Sequence, residues 1–208
     1  LFEEMKTVGV RNFFIGVLFL FAGSGSAADD FTTLRLAWAS YLTGGTNLNL
    51  SDPIVSSRVA TIGSSANSYW SSLNKSVNRT YLWSNAAGWS SSSADITTSY
   101  YRLSVMAQGW GTKGSSVYSN ATLAADIISA LDWMYTNVYN EHIAQYDNWW
   151  DWEIGSPNDL NKCMVLMYPL LSGTQITNYC KAIDHFTPIA FGTVANPVYF
   201  AQTMGIRN

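Results

Sequence analysis

Apolar residues recur at three- and four-residue intervals along nearly all of this 208-residue chain, and strict alternation persists nowhere. An α-helix repeats every 3.6 residues and a half-buried strand every two, so this spacing predicts helices and argues against a sheet. In 29–43 the stripe is Phe31, Leu34, Ala37/Trp38 and Tyr41/Leu42. Asp29 or Asp30 can cap its start, and Gly44-Gly45 stops it. "SDP" at 51–53 opens a second helix with Pro53 in its first turn, followed by Val55, Val59, Ile62, Ala66, Tyr69/Trp70 and Leu73. A third helix is predicted over 94–108 through Ile96, Tyr100, Leu103 and Met106/Ala107, with a Gly/Ser-rich break from Gly109 to Ser116. Residues 121–139 carry the cleanest stripe: Leu123, Ile127, Ala130/Leu131, Met134 and Val138. The segment 140–157 reads as a polar-aromatic loop, and two more helices are expected at 158–170 and 174–185. Pro169 should end or kink the first and Pro188 should end the second. The fold class is therefore all-α. Helical hairpins in series build bundles, solenoids or α/α toroids, and periodicity does not choose among them.

The first 28 residues follow another logic. Lys6 and Arg11 precede an apolar run from Phe13 to Ala22, followed by the small residues Ser24 to Ala28. A basic start, a run of about ten apolar residues and a small-residue site describe a secretory signal peptide, too short to span a bilayer comfortably. Cleavage is expected near Ala27 or Ala28, with Leu1 to Glu4 as upstream sequence before Met5. The mature chain is expected to be secreted, monomeric and not stably inserted in a membrane. Export permits disulfides, and Cys163 and Cys180 flank the turn "LSGT" (171–174), so a bridge and two thiols both remain open. Asn49, Asn74, Asn78 and Asn120 head glycosylation-type triplets, which matter only in a eukaryotic secretory pathway.

Charged residues make up 12% of the chain, against roughly 25% in average proteins, and the net charge is −3. With no basic stripe to neutralise phosphates, nucleic acid is excluded as a partner. Aromatic residues reach 14%, and three of the nine tryptophans crowd into "NWWDWEIGSP" at 148–157. Trp149, Trp150 and Trp152 can be core. Alternatively, Trp149 and Trp150 can project from a surface loop as a platform for a sugar, whose C–H face is apolar while its edge is wet. Neighbours on a helix point about 100° apart and could not share one face. Asp151 and Glu153 suggest a hydrolytic carboxylate pair or, alternatively, groups bonded to loop backbone or to a neighbouring helix N-terminus. Nothing has metal-ligand spacing, and no cofactor is implied.

The stretch "YDNWWDWEIGSPNDLNKCMVLMY" (146–168) resembles the signature of polysaccharide lyase family 8. "LRLAWASYLTGG" (34–45), "NRTYLW" (78–83), "YRLSVMAQGWGTKGSSVY" (101–118), "AADIISALDWMYTNVYN" (124–140) and "AIDHFTP" (182–188) resemble it too, most closely its xanthan-lyase branch. The resemblance covers about 30 to 208. It implies an N-terminal part of an incomplete α/α toroid, with β-sandwich domains following in the family. It also implies β-elimination on an anionic, uronate-containing polysaccharide of xanthan, hyaluronan or chondroitin type. Asn148, Trp149 and Trp150 match the family's substrate-binding aromatic patch, with Phe191 a looser match. Asn196, in "GTVANPVYF" (192–200), occupies the place of the Asn that donates to the uronate carboxylate as charge accumulates in the transition state. Pro197 departs from the family's pattern there.

The family's proton-transferring His and Tyr, with an assisting Arg, lie downstream of that Asn. Here the histidines are His142 and His185, neither aligned with the catalytic one. The expectation is a lyase fragment, inactive alone, whose last helices around 174–208 hold little stable tertiary structure. The alternative from another class is a non-catalytic carbohydrate-binding helical module. A third is a structural helical protein with all its tryptophans in the core.

Overall fold

Four of the other five long helices pack against the helix formed by Ser93–Gly111 in this computed structural model, which describes residues 29–187 together with Val198 and Gln202; the last, Gly173–Phe186, packs instead on Ala121–Asn137 and Ser156–Met167. In chain order the helices are α1 (Asp30–Thr43), α2 (Pro53–Ser71), α3 (Ser93–Gly111), α4 (Ala121–Asn137), α5 (Ser156–Met167) and α6 (Gly173–Phe186). Short 3-10 turns occupy Ser84–Ala86 and Tyr168–Leu170, and a π-helical turn occupies Asp151–Gly155. Among the described residues there are no strands, so the all-α fold class stands. The signal-peptide reading falls on residues 1–28, outside the described residues. Among the described residues no helix is long and apolar enough to cross a membrane.

The helix starts follow from local chemistry. The first backbone N–H groups of a helix lack internal partners, and a side-chain oxygen just before them can accept their hydrogen bonds. Asp29 accepts from Thr32 N at 2.6 Å, Asp52 from Ile54 N at 2.8 Å and Asn120 from Leu123 N at 3.0 Å. Ser172 and Gln175 form a reciprocal capping box on α6. Gly44, at φ +81°, ends α1 in the left-handed conformation that a side chain disfavours.

The core lies where α3, α4, α5 and α6 meet. It contains Tyr100, Leu103, Met106, Leu123, Ile127 and Phe186. The predicted stripe of α4 is the buried one. Four expectations require correction. Gly109 does not break α3: the helix runs on to Gly111, because Gly109 is where α3 presses against Ala66 of α2 and a Cβ would collide with that side chain. The glycine is needed for close approach, not for a turn. The apolar stripe of α1 is largely solvent-facing: Phe31, Leu34 and Tyr41 are exposed, and α1 buries no residue fully. Only one edge of α1 meets α3 and α5, where Gln108 Nε2 donates to Leu42 O at 2.7 Å. Of the stretch 174–208, expected to hold little tertiary structure, residues 174–187 are packed into the core, while 188–208, apart from Val198 and Gln202, lie outside the described residues. Tyr179, Ala182, Ile183 and Phe186 are buried, and the Tyr179 hydroxyl donates to Asp132 at 2.7 Å. The fourth correction, at the motif, is described below. Cys163 and Cys180 are not bridged to one another.

Candidate functional site

The stretch 149–157 is helical, not a loop. Residues 149–150 are α-helical, 151–155 form the π turn, and α5 follows without interruption. One residue is inserted into the helix at the π turn, so the 3.6-residue phase slips just where the sequence pattern is read. That slip hid the helix. Its hydrogen bonding is distinctive. Ser156 N–H donates to Asp151 O, one residue further back than in an α-helix, which leaves Trp152 O without its helical donor. Pro157 has no N–H, which leaves Glu153 O without one as well. The Tyr139 hydroxyl donates to Trp152 O at 2.7 Å, and Thr187 Oγ1 donates to Glu153 O at 2.9 Å. Buried carbonyls need partners, and here those partners come from beyond the end of α4 and from the end of α6. The motif is thereby tied to both.

Its approach is fixed by carboxylates. Asp147, at φ +59°, accepts from Ser93 N at 3.0 Å and so caps α3 from across the structure. Asp151 is buried and accepts from Ser93 Oγ and Thr97 Oγ1, both at 2.8 Å. Thr97 Oγ1 also lies 3.1 Å from Ser156 Oγ. Asp151 therefore fastens α5 to the first turns of α3. Glu153 sits two residues further along the π turn, on roughly the opposite side of the helix, and accepts from Gln145 Nε2 at 3.1 Å. The two carboxylates do not face a common cleft, so the hydrolytic pair is not formed.

The three tryptophans separate. Trp152 is fully buried, stacked on Tyr139 at 5.8 Å between centroids and packed on Phe186 at 4.8 Å. Its ring N–H donates to Tyr146 O at 2.8 Å. Trp149 and Trp150 are 45% and 38% exposed. They project from the first turn of a helix rather than a loop, so they diverge instead of lying in one plane. Asn148 is exposed, and its Oδ1 accepts from Trp150 N at 3.2 Å. Its Nδ2 makes no hydrogen bond among the described residues. The Trp150 ring lies over Gly155: a Cβ there would stand 2.5 Å from Trp150 Cζ3 and 2.8 Å from Thr97 Cγ2.

Trp150 also walls a groove of 220 Å³ with Ile154, Gly155, Asn158, Asp159 and Lys162, joined by Gln202. Lys162 Nζ lies 2.8 Å from Asp159, which also accepts from Ser104 Oγ at 3.2 Å. An indole face beside amide groups and the Lys162–Asp159 ion pair can hold a ring with an apolar face and a hydroxyl-bearing edge. His142 and His185 are both exposed: the first lies 3.9 Å from Glu141, the second meets Phe186 edge-on at 4.6 Å. Neither lines the groove. Asn196 and Phe191 lie outside the described residues. Among the described residues no group of three or more His, Cys, Asp or Glu is placed to hold a metal ion.

The fold and motif define a class: an all-α stack of helical hairpins presenting neighbouring indoles to solvent. Residues 38–205 match the family model described as polysaccharide lyase family 8, N terminal alpha-helical domain. The chain belongs to that family. It is 40% identical over 182 residues to a xanthan lyase of Bacillus sp. (strain GL1), covering 87% of this chain and 20% of that protein. It is 32% identical over 190 residues to a hyaluronate lyase of Thermasporomyces composti, covering 88% and 23%. A solved Paenibacillus xanthan lyase superposes with a TM-score of 0.84 at 45% identity, covering 86% of this chain and 17% of that one. A Streptomyces coelicolor A3 chondroitin AC lyase in complex with chondroitin sulphate superposes with a TM-score of 0.78 at 30% identity, covering 86% and 24%. The chain thus spans about a fifth of the length of these relatives.

Sequence reasoning named Asn148, Trp149 and Trp150 but missed the residues that hold them: Asp147, Ser93, Thr97 and Gly155. One signal was available. Gly155 stands five residues after Trp150, where a helix with one inserted residue returns to the same side.

Proposed function

We propose that this chain is the substrate-platform portion of a secreted polysaccharide lyase, the full-length enzyme cleaving a uronate-containing polymer by β-elimination. Trp149 and Trp150 stack on sugar rings, and the Asn148 amide N–H groups bond ring hydroxyls or a carboxylate. Asn196 donates to the uronate carboxylate as the neighbouring carbon loses its proton, stabilising charge without itself ionising. General acid–base transfer, worth roughly 10²–10⁴-fold in rate, needs a His and a Tyr that the described residues do not place at the groove. Turnover is accordingly assigned to a longer chain and not to this one alone.

One observation carries the reading. Two adjacent tryptophans stay in solvent while the third, two residues on, is sequestered. Large apolar rings held exposed by a rigid buried frame mark a contact surface. The family's relatives are named for xanthan, hyaluronate and chondroitin, which supports an acidic polysaccharide as the ligand class. The test has two arms. The 208-residue chain is titrated with xanthan, hyaluronan and chondroitin sulphate, and W149A/W150A is expected to weaken binding at least about 30-fold, two stacking contacts at about 1 kcal/mol or more each. A longer chain carrying the downstream segment is assayed for unsaturated-uronate absorbance. Binding without elimination in that longer chain would identify a binding module instead. Unchanged affinity in the double variant would remove the platform.

A further inference from the structure

We propose a second saccharide subsite, on the other side of α3 from the tryptophan motif, built around Arg102 and taking a uronate residue of an acidic polysaccharide. For its ligand class it rests on the function proposed above; for its existence it rests on separate residues. A pocket of 380 Å³ opens between the C-terminal end of α2, the turn at 83–86 and α3, lined by Ser68, Tyr69, Ser72, Ser84, Asn85 and Arg102. Thr97, which fastens the motif, and Arg102 are five residues apart on α3, about 140° around the axis and about 7.5 Å along it. The two sites therefore use different faces of one helix.

The guanidinium is pre-positioned. It lies 5.5 Å from the centre of the Tyr69 ring and 5.3 Å from that of Trp83, with Nη1 donating to Asn85 Oδ1 at 2.8 Å. Trp83 is itself pinned, its ring N–H donating to Tyr69 O at 3.0 Å. No carboxylate among the described residues pairs with Arg102, whereas Lys75 and Lys162 each have one. A cation stacked on aromatic rings and left without a counter-charge, with most of its five N–H donors unused, offers a ready site for a carboxylate.

The serines specify more than an anion. Ser72 Oγ–H is directed at the carbonyls of Ser68 and Tyr69, at 3.0 and 3.2 Å, so its lone pairs remain as acceptors. Ser68 and Ser84 hydroxyls make no hydrogen bond among the described residues. A pocket with a cation and several hydroxyl groups matches a sugar bearing both a carboxylate and ring hydroxyls better than a bare ion. Tyr101, half exposed and edge-on to Tyr69 at 6.3 Å, can carry the next ring.

The experiment is side-chain NMR on the 208-residue chain, following the Arg102 Nε–H and the amides of Ser72 and Ser84 together with the Trp149 and Trp150 indole N–H groups. Probes are a hyaluronan tetrasaccharide, which carries only carboxylates, and inorganic sulfate. The expected result is a saturable shift of the Arg102, Ser72 and Ser84 signals with the tetrasaccharide. It should persist in W149A/W150A and weaken at least about 10-fold in R102Q. R102K, which keeps the charge without the fork, should recover only part. Arg102 signals that stay fixed at tetrasaccharide concentrations saturating the indoles would overturn the proposal. So would a response to sulfate alone. Silent indoles beside shifting Arg102 signals would count against the tryptophan platform and leave this subsite supported. The wild-type shifts need no substitution, so a misfolded variant does not decide the outcome.

Discussion

Replacing Gly155 with Ala probes whether the platform is positioned or merely exposed. The new methyl would stand 2.5 Å from Trp150 Cζ3, 2.8 Å from Thr97 Cγ2 and 3.0 Å from Thr97 Oγ1. Thr97 cannot yield easily, because its hydroxyl is bound to Asp151 and adjoins Ser156. The Trp150 ring is the freer partner and should swing outward. Overpacking of this kind costs about 1–3 kcal/mol. Gly155 has helical geometry, φ −62° and ψ −60°, so Ala gains about 1 kcal/mol of helix propensity. The net loss should be about 0–2 kcal/mol, or about 0–8 °C in Tm at ~2–4 °C per kcal/mol for a chain of this size. Polysaccharide binding should fall about tenfold, far more than so small a loss of folded protein could cause. Chemical denaturation and calorimetric titration of G155A, W150A and the double variant measure both effects. In the cycle, W150A should relieve at least 0.5 kcal/mol of the strain of G155A, about the limit expected for independent sites. Additive effects, or G155A binding as wild type does, would refute the packing of ring on glycine as the positioning device.

Further outcomes follow from the same contacts. D151A removes two 2.8 Å hydroxyl contacts from a buried carboxylate and should cost about 2–3 kcal/mol, read as a lower denaturation midpoint together with weaker binding, since the motif loses its hold on α3. Burial pushes the hydroxyls of Tyr100, Tyr139 and Tyr179 above their usual range near 10.0, with the Asp132 contact adding to the rise at Tyr179. The folded state then keeps protons that the unfolded chain gives up. Stability should be fully present below about pH 10 and fall above it by up to ~1.4 kcal/mol per pH unit per tyrosine; circular dichroism melts from pH 8 to 12 check this, and Y179F should flatten the slope. Burial also raises the Cys163 thiol well above its usual range, so alkylation at pH 8 should leave it unmodified until denaturant is added. Amide exchange in α6 should be as slow as in α4, because its buried face sits in the same core; exchange at the rate of an exposed loop would contradict that packing.

The legible features were those set by neighbours along the chain. Helix starts at Asp29, Asp52 and Asn120 need only a side-chain oxygen close to the first N–H groups. The α4 stripe needs only a steady 3.6-residue phase. The resemblance to the family rests on the order of residues in 146–168 and was equally available. What failed did so where a distant partner decided the outcome. Gly109 is locally a helix breaker, yet it is retained inside α3 because Ala66 of another helix leaves no room for a Cβ. The motif is locally a loop, yet it is helical with the hydroxyls of Tyr139 and Thr187 donating to the two carbonyls that its own backbone leaves unpaired.

The amino-acid order by itself thus determined an all-helical chain of lyase family 8 with an Asn-Trp-Trp motif, because propensity, caps and motif order are properties of short stretches. Only the tertiary structure decided which indoles meet solvent. Trp149, Trp150 and Trp152 are chemically identical and lie within four residues. Burial is a property of what packs alongside, and Tyr139 and Phe186 cover only the last of the three.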